Sequence, residues 1–139
     1  MQKLFSSIWF ASFGVLASAV LFIIPALREE SWPMILFIWL PAMSSGAAGF
    51  ICGDKILDPD RINSYWGASV WGVVLSVLSM VIFTPAFIFI YYLIDDDHID
   101  LAGLLAAVYT AGGYGVVPIF LFGGAIAGAS LFSVRKYIT

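Results

Sequence analysis

The chain reads as an all-α membrane protein, a bundle of four transmembrane helices with one short extra helix on the outer side. Three observations predict this. Of its 139 residues, 62% are hydrophobic and only 11% are charged, against about 25% charged in ordinary soluble domains. A soluble fold of this size leaves about a third of its unfolded surface in water, so it cannot hide that much apolar side chain. The charged residues also fall in clumps that leave four uninterrupted apolar windows, 4–27, 31–53, 62–94 and 101–134. Each exceeds the ~20 residues that cross a bilayer. Finally, no stretch alternates polar and apolar residues as the strands of a membrane barrel do. Backbone groups in hydrocarbon must find partners inside their own segment, so the windows are helices.

The first span is predicted at about 5–27. Lys3 ahead of it and Ala17-Ser18-Ala19 within it have the look of a secretory signal and its cleavage site. The apolar run continues through Phe22, Ile23 and Ile24, which favours a retained helix over an excised one. The second span is predicted at about 32–53 and the third at about 66–93. Tyr65 and Trp66 mark one end of the third, Tyr91 and Tyr92 the other. Residues 66 to 91 make about 38 Å of helix, which suits a tilted span with aromatic anchors in both interfaces. The fourth window is too long for one straight crossing, since 34 residues make about 51 Å of helix and the hydrocarbon core is about 30 Å. Gly112, Gly113 and Gly115, with Pro118 close behind, predict a break. It divides the window into a short outer or re-entrant helix at about 99–110 and a fourth span at about 116–134. The chain is one transmembrane domain over 1–139.

Basic residues set the predicted orientation. Lys3, Lys55, Arg61, Arg135 and Lys136 fall on one side of the four spans and only Arg28 on the other. Over short loops that bias places both termini in the cytoplasm. The short loops suit a bacterial plasma (inner) membrane. The charges are not clustered as a nucleic-acid surface requires. Cys52 is the single cysteine, which rules out an internal disulfide or a cysteine metal cluster.

The two halves of the chain look alike. Pro25-Ala26-Leu27 echoes Pro85-Ala86-Phe87, and Gly49-Phe50-Ile51-Cys52-Gly53 echoes Gly124-Ala125-Ile126-Ala127-Gly128. This pattern predicts two duplicated helical hairpins related by an axis along the membrane normal.

Ser45, Gly49 and Gly53 recur every four residues on one helix face, as do Gly124 and Gly128. Small residues let helices in lipid approach closely, because apolar burial drives their association little. Two readings are open: the faces pack the second span against the fourth within one chain, or one face meets a partner subunit. Pro85 inside the third span, preceded by Thr84, is expected to free a carbonyl and kink the helix. It would act as a hinge, or as a static kink. The outer segment Asp95-Asp96-Asp97-His98-Ile99-Asp100 reads as a solvated acidic loop before it reads as a cation site.

Another local pattern runs helix, outer loop, short apolar helix, then Thr110-Ala111-Gly112-Gly113-Tyr114-Gly115, then helix. It resembles the pore helix, filter and inner helix of potassium channels, whose filters read TVGYG. Gly113-Tyr114-Gly115 match the end of that motif, while Ala111 and Gly112 stand where the family has Thr and Val. The resemblance implies a permeation path near Thr110, Gly112, Gly113, Tyr114 and Gly115; Pro85, as a hinge, separately supports a pore or carrier.

No Asp, Glu, Lys, Arg or His lies inside any predicted span. Intramembrane enzymes and proton-driven carriers ordinarily keep one there. No enzyme activity, cofactor or metal is expected. The expectation is a small membrane subunit or regulator working through helix packing, against itself as a homo-oligomer or against a larger membrane-protein partner. Two other classes stay open: a small pore or carrier, and an immunity-type protein that recognises a membrane toxin.

Overall fold

The computed structural model describes residues 1–26, 33–94, 100–102 and 116–138, and every element among them is helical. In chain order these are α1 (Gln2–Ala26), α2 (Pro33–Cys52), α3 (Asp54–Leu57), α4 (Tyr65–Ile94) and α5 (Val116–Val134), followed by a 3-10 turn at Arg135–Tyr137. The prolines are placed as helix physics asks. Pro33 opens α2 and Pro118 sits in the first turn of α5, where a missing N–H removes no intrahelical bond. Pro41 and Pro85 fall inside α2 and α4, which run on through them. Just before Pro85, the Thr84 hydroxyl donates to the Met80 carbonyl at 2.8 Å. Of the predicted outer helix at 99–110, Leu101 and Ala102 are helical and Asp100 is not, while residues 99 and 103–110 lie outside the described residues.

The four long helices form a ring. α1 lies against α2 and α5, α4 lies against α2 and α5, and the pairs α1–α4 and α2–α5 are its diagonals. The contacts give every neighbour an antiparallel sense. Ser7 on α1 bonds to Gly46 on α2, Trp71 on α4 to Cys52 on α2, Ser76 on α4 to Phe120 on α5, and Trp9 on α1 to Ala127 on α5. This corrects the expectation that the small faces of the second and fourth spans meet. Each of these helices turns its glycines toward its sequence neighbour instead, α2 toward α1 and α5 toward α4.

The starts of α1 and α4 and the ends of α2 and α5 therefore share one end of the ring, with α3 tucked beneath it. Ile56 and Leu57 of α3 are fully buried in a cluster with Phe10, Ala48, Ala68, Leu75, Ala127 and Leu131. Lys3, Lys55, Arg61, Arg135 and Lys136 gather at this end. Lys3 faces Asp54 at 4.0 Å, Lys55 lies 5.0 Å from the centre of the Trp71 ring, and Arg135 donates to the Ile62 carbonyl at 2.5 Å. Tyr65 and Trp66 are exposed here, Tyr65 edge-on to Phe132 with ring centres 4.7 Å apart.

Burial departs from that of a water-soluble bundle on its outer face. Among the described residues the buried polar ones are serines, namely Ser6, Ser18, Ser44, Ser45, Ser76 and Ser79, set in an otherwise apolar core. The outside carries large apolar side chains on all four long helices, including Leu16, Met43 (69% exposed), Val81 (63%), Phe89 (66%) and Phe122 (71%). Among the described residues, two helices, Tyr65–Ile90 and Val117–Tyr137, are long and apolar enough to cross a membrane.

Candidate functional site

The ring has two kinds of seam. Within the pairs α1–α2 and α4–α5, contact is made by missing side chains. A Cβ on Gly49 would lie 2.8 Å from the Ser6 carbonyl oxygen and 3.0 Å from Cβ of Phe10, and one on Gly53 would lie 2.8 Å from Cβ of Ser6. Ser45 itself abuts Gly14, where an added Cβ would meet its Oγ at 2.9 Å. The α4–α5 pair is tighter still. A Cβ on Gly72 would overlap the Gly124 carbonyl, one on Gly124 would overlap the Ser76 hydroxyl, and one on Gly128 would overlap the Ala68 carbonyl. Backbones this close exclude solvent and lipid alike, the arrangement that small residues make possible between helices.

Hydrogen bonds join the pairs to each other, as Ser7 to Gly46 and Ser76 to Phe120 do within them. On the α2–α4 seam Ser45 and Ser79 lie 3.0 Å apart, and Ser79 donates to Ser44 at 3.2 Å. Lower down, the Trp71 indole N–H donates to the Cys52 carbonyl at 3.1 Å. On the α1–α5 seam the Trp9 indole N–H donates to the Ala127 carbonyl at 3.2 Å and to the Ser130 hydroxyl at 3.3 Å. Among the described residues no buried side-chain N or O lacks a partner, as an interior this apolar requires.

These contacts repeat. Trp9 and Trp71 are 62 positions apart, and the carbonyls they reach, on Ala127 and Cys52, are 75 apart. Under the same two offsets, Ser6 against Gly53 becomes Ala68 against Gly128. Phe10 against Gly49 becomes Gly72 against Gly124, and Gly14 beside Ser45 becomes Ser76 beside Phe120. The two pairs are thus built on one pattern, each sending an indole into the second helix of the other. The glycine echo between 49–53 and 124–128 belongs to this pattern. The proline echo does not, because Pro25 and Pro85 are 60 apart. A two-residue slip turns a helix by about 200°.

No family model, no curated protein and no solved structure matches this chain. Its chemistry is therefore read from its own contacts.

Thr110, Gly112, Gly113, Tyr114 and Gly115 lie outside the described residues, as do Asp95 to Ile99. Pro85 is exposed on α4, away from the seams. Sequence reasoning missed Trp9, Trp71, Ser76 and Ser79. Both tryptophans sit near helix ends, where an interfacial anchor and an interhelical donor look the same in sequence. Trp9→Phe and Trp71→Phe are each expected to cost about 1 kcal/mol, the net worth of one such bond. The two costs should add, because the seams are separate. Thermal unfolding of both single variants and the double variant in detergent checks this. One silent and one severe substitution would refute the equivalence of the two seams.

Proposed function

We propose that this chain is a non-enzymatic integral membrane protein of four spans that acts as a subunit or regulator of a membrane complex through helix packing. The apolar exterior carries the reading. Large apolar side chains are exposed on the outside of all four long helices, while the inside combines an apolar core with hydrogen-bonded serines and close-packed glycines. In water that exterior would be a continuous apolar patch far beyond what monomers tolerate; in a bilayer it is the ordinary surface. The basic end, with five of the six Lys and Arg residues, supports a cytoplasmic placement of both termini in a bacterial inner membrane.

The interior argues for a packing role over chemistry. Among the described residues every buried serine is engaged in holding one helix to itself or to another, and none of those bonds brings in a histidine or carboxylate to activate a hydroxyl. At the basic end, Ile56 and Leu57 plug the axis of the ring, which counts against an open pore. A carrier is the second reading. The repeated pairs and the hydrogen-bonded seams between them favour it, since carriers of this kind move one repeat against another.

Gentle extraction of the tagged protein and measurement of its mass and composition separates these readings. A stable complex, with itself or with a second membrane protein, is the expected result. A lone monomer that moves solute when reconstituted in liposomes would favour the carrier. A monodisperse protein in water without detergent would overturn the membrane assignment altogether.

A further inference from the structure

A small, half-open cavity lies among the four long helices, lined by Phe10, Phe13 and Gly14 of α1, Ser45 of α2, Ser76 of α4, and Phe120 and Gly124 of α5. Both serines are more than nine-tenths buried, at 8% and 7% exposure. Proton bookkeeping decides what the cavity offers. The Ser44 hydroxyl is bonded to the Pro41 carbonyl at 3.0 Å, and a carbonyl only accepts, so Ser44 donates. Ser44 must then accept from Ser79, which uses the one proton of Ser79. Ser45 is left to donate to Ser79. Ser76 likewise spends its proton on the Phe120 carbonyl at 2.8 Å. A hydroxyl has one donor and two acceptor lone pairs, so each of these two oxygens has only lone pairs left to offer.

We propose that this cavity is a binding site for one structural water molecule, which donates one hydrogen to Ser45 and the other to Ser76 and so bridges α2 to α4 across the seam between the pairs. The size agrees. The cavity holds about 20 Å³, and one water needs at least about 10–15 Å³ and two or more polar partners. The charge agrees too. Two hydroxyl oxygens fall far short of the six or more ligands that a hard cation takes, whereas a neutral molecule with two donors matches them one for one.

Radiolytic hydroxyl-radical labelling of the detergent-purified protein, read by mass spectrometry, tests it, because radicals born from a bound internal water attack the side chains beside it. Phe120 and Phe87 are equally buried at 8%, and only Phe120 lines the cavity. In the unaltered protein, Phe120 is expected to label several-fold faster than Phe87. In the Ser45→Ala, Ser76→Ala double variant its rate should fall to that of Phe87. Equal rates in the unaltered protein would overturn the proposal, and that comparison needs no variant to fold. Fast labelling of Phe120 that persists in a folded double variant would overturn it as well.

Discussion

Replacing Gly72 with alanine should separate α4 from α5, at a cost of about 3 kcal/mol. The new methyl would fall on the Gly124 carbonyl oxygen and crowd the Gly128 Cα. Neither is the yielding tip of a side chain, so a backbone must move. Overpacking a close contact typically costs 1–3 kcal/mol and sometimes more, and backbone against backbone is the unyielding limit. The alanine recovers about 1 kcal/mol of helix propensity, which is not enough. Gly123 supplies the contrast. It lies in the same kind of helix beside Gly124, yet a Cβ there meets nothing within 4 Å. Gly123→Ala should therefore be neutral or stabilising by up to about 1 kcal/mol. Thermal unfolding of the two variants in one detergent decides the matter. A tolerated Gly72→Ala would mean that the α4–α5 seam is looser than its geometry states.

Val81→Arg is expected to abolish accumulation of the protein in membranes. Val81 lies near the middle of α4 and is 63% exposed. On a water-facing surface such a change is usually worth within about 0.5 kcal/mol either way. At the centre of a membrane helix an arginine costs about 2.5–3.5 kcal/mol by insertion measurements. The two environments thus predict opposite outcomes from one substitution. Loss from the membrane fraction is the expected result, while an unaffected or better-dissolving variant would show that water covers this face.

The helices were legible because charge placement is a strong signal: the four long helices begin and end within about three residues of the spans drawn between charged clumps. That small residues at 45, 49, 53, 124 and 128 sit in close contacts was legible as well. Which helix they face was not. A four-residue period marks a face, but its direction depends on how all the helices rotate together. Here the answer turns on Gly14 and Gly72, whose four-residue neighbours are Ser18 for the first and Ala68 and Ser76 for the second, small residues that mark a face less plainly than a glycine pair does. The polar seam was illegible for a different reason. Serine bonds readily to its own helix, as Ser18 does to Gly14 and Ser12 to Ile8, so a membrane serine carries no mark of reaching across. Ser76 and Ser79 look like Ser12 until the neighbouring helices are in place.

The tucked α3 segment has a consequence for how the protein is made. Ile56 and Leu57 are buried against side chains that include Leu131, among the last helical residues of the chain. A ribosome delivers α1, α2 and α3 long before α5, so the α5 side of this apolar pair stays uncovered while about seventy further residues are synthesised. The contact between α3 and α5 can close only when α5 arrives. A chain interrupted before α5 leaves part of this apolar pair unsatisfied, the kind of surface that quality-control proteases and chaperones bind.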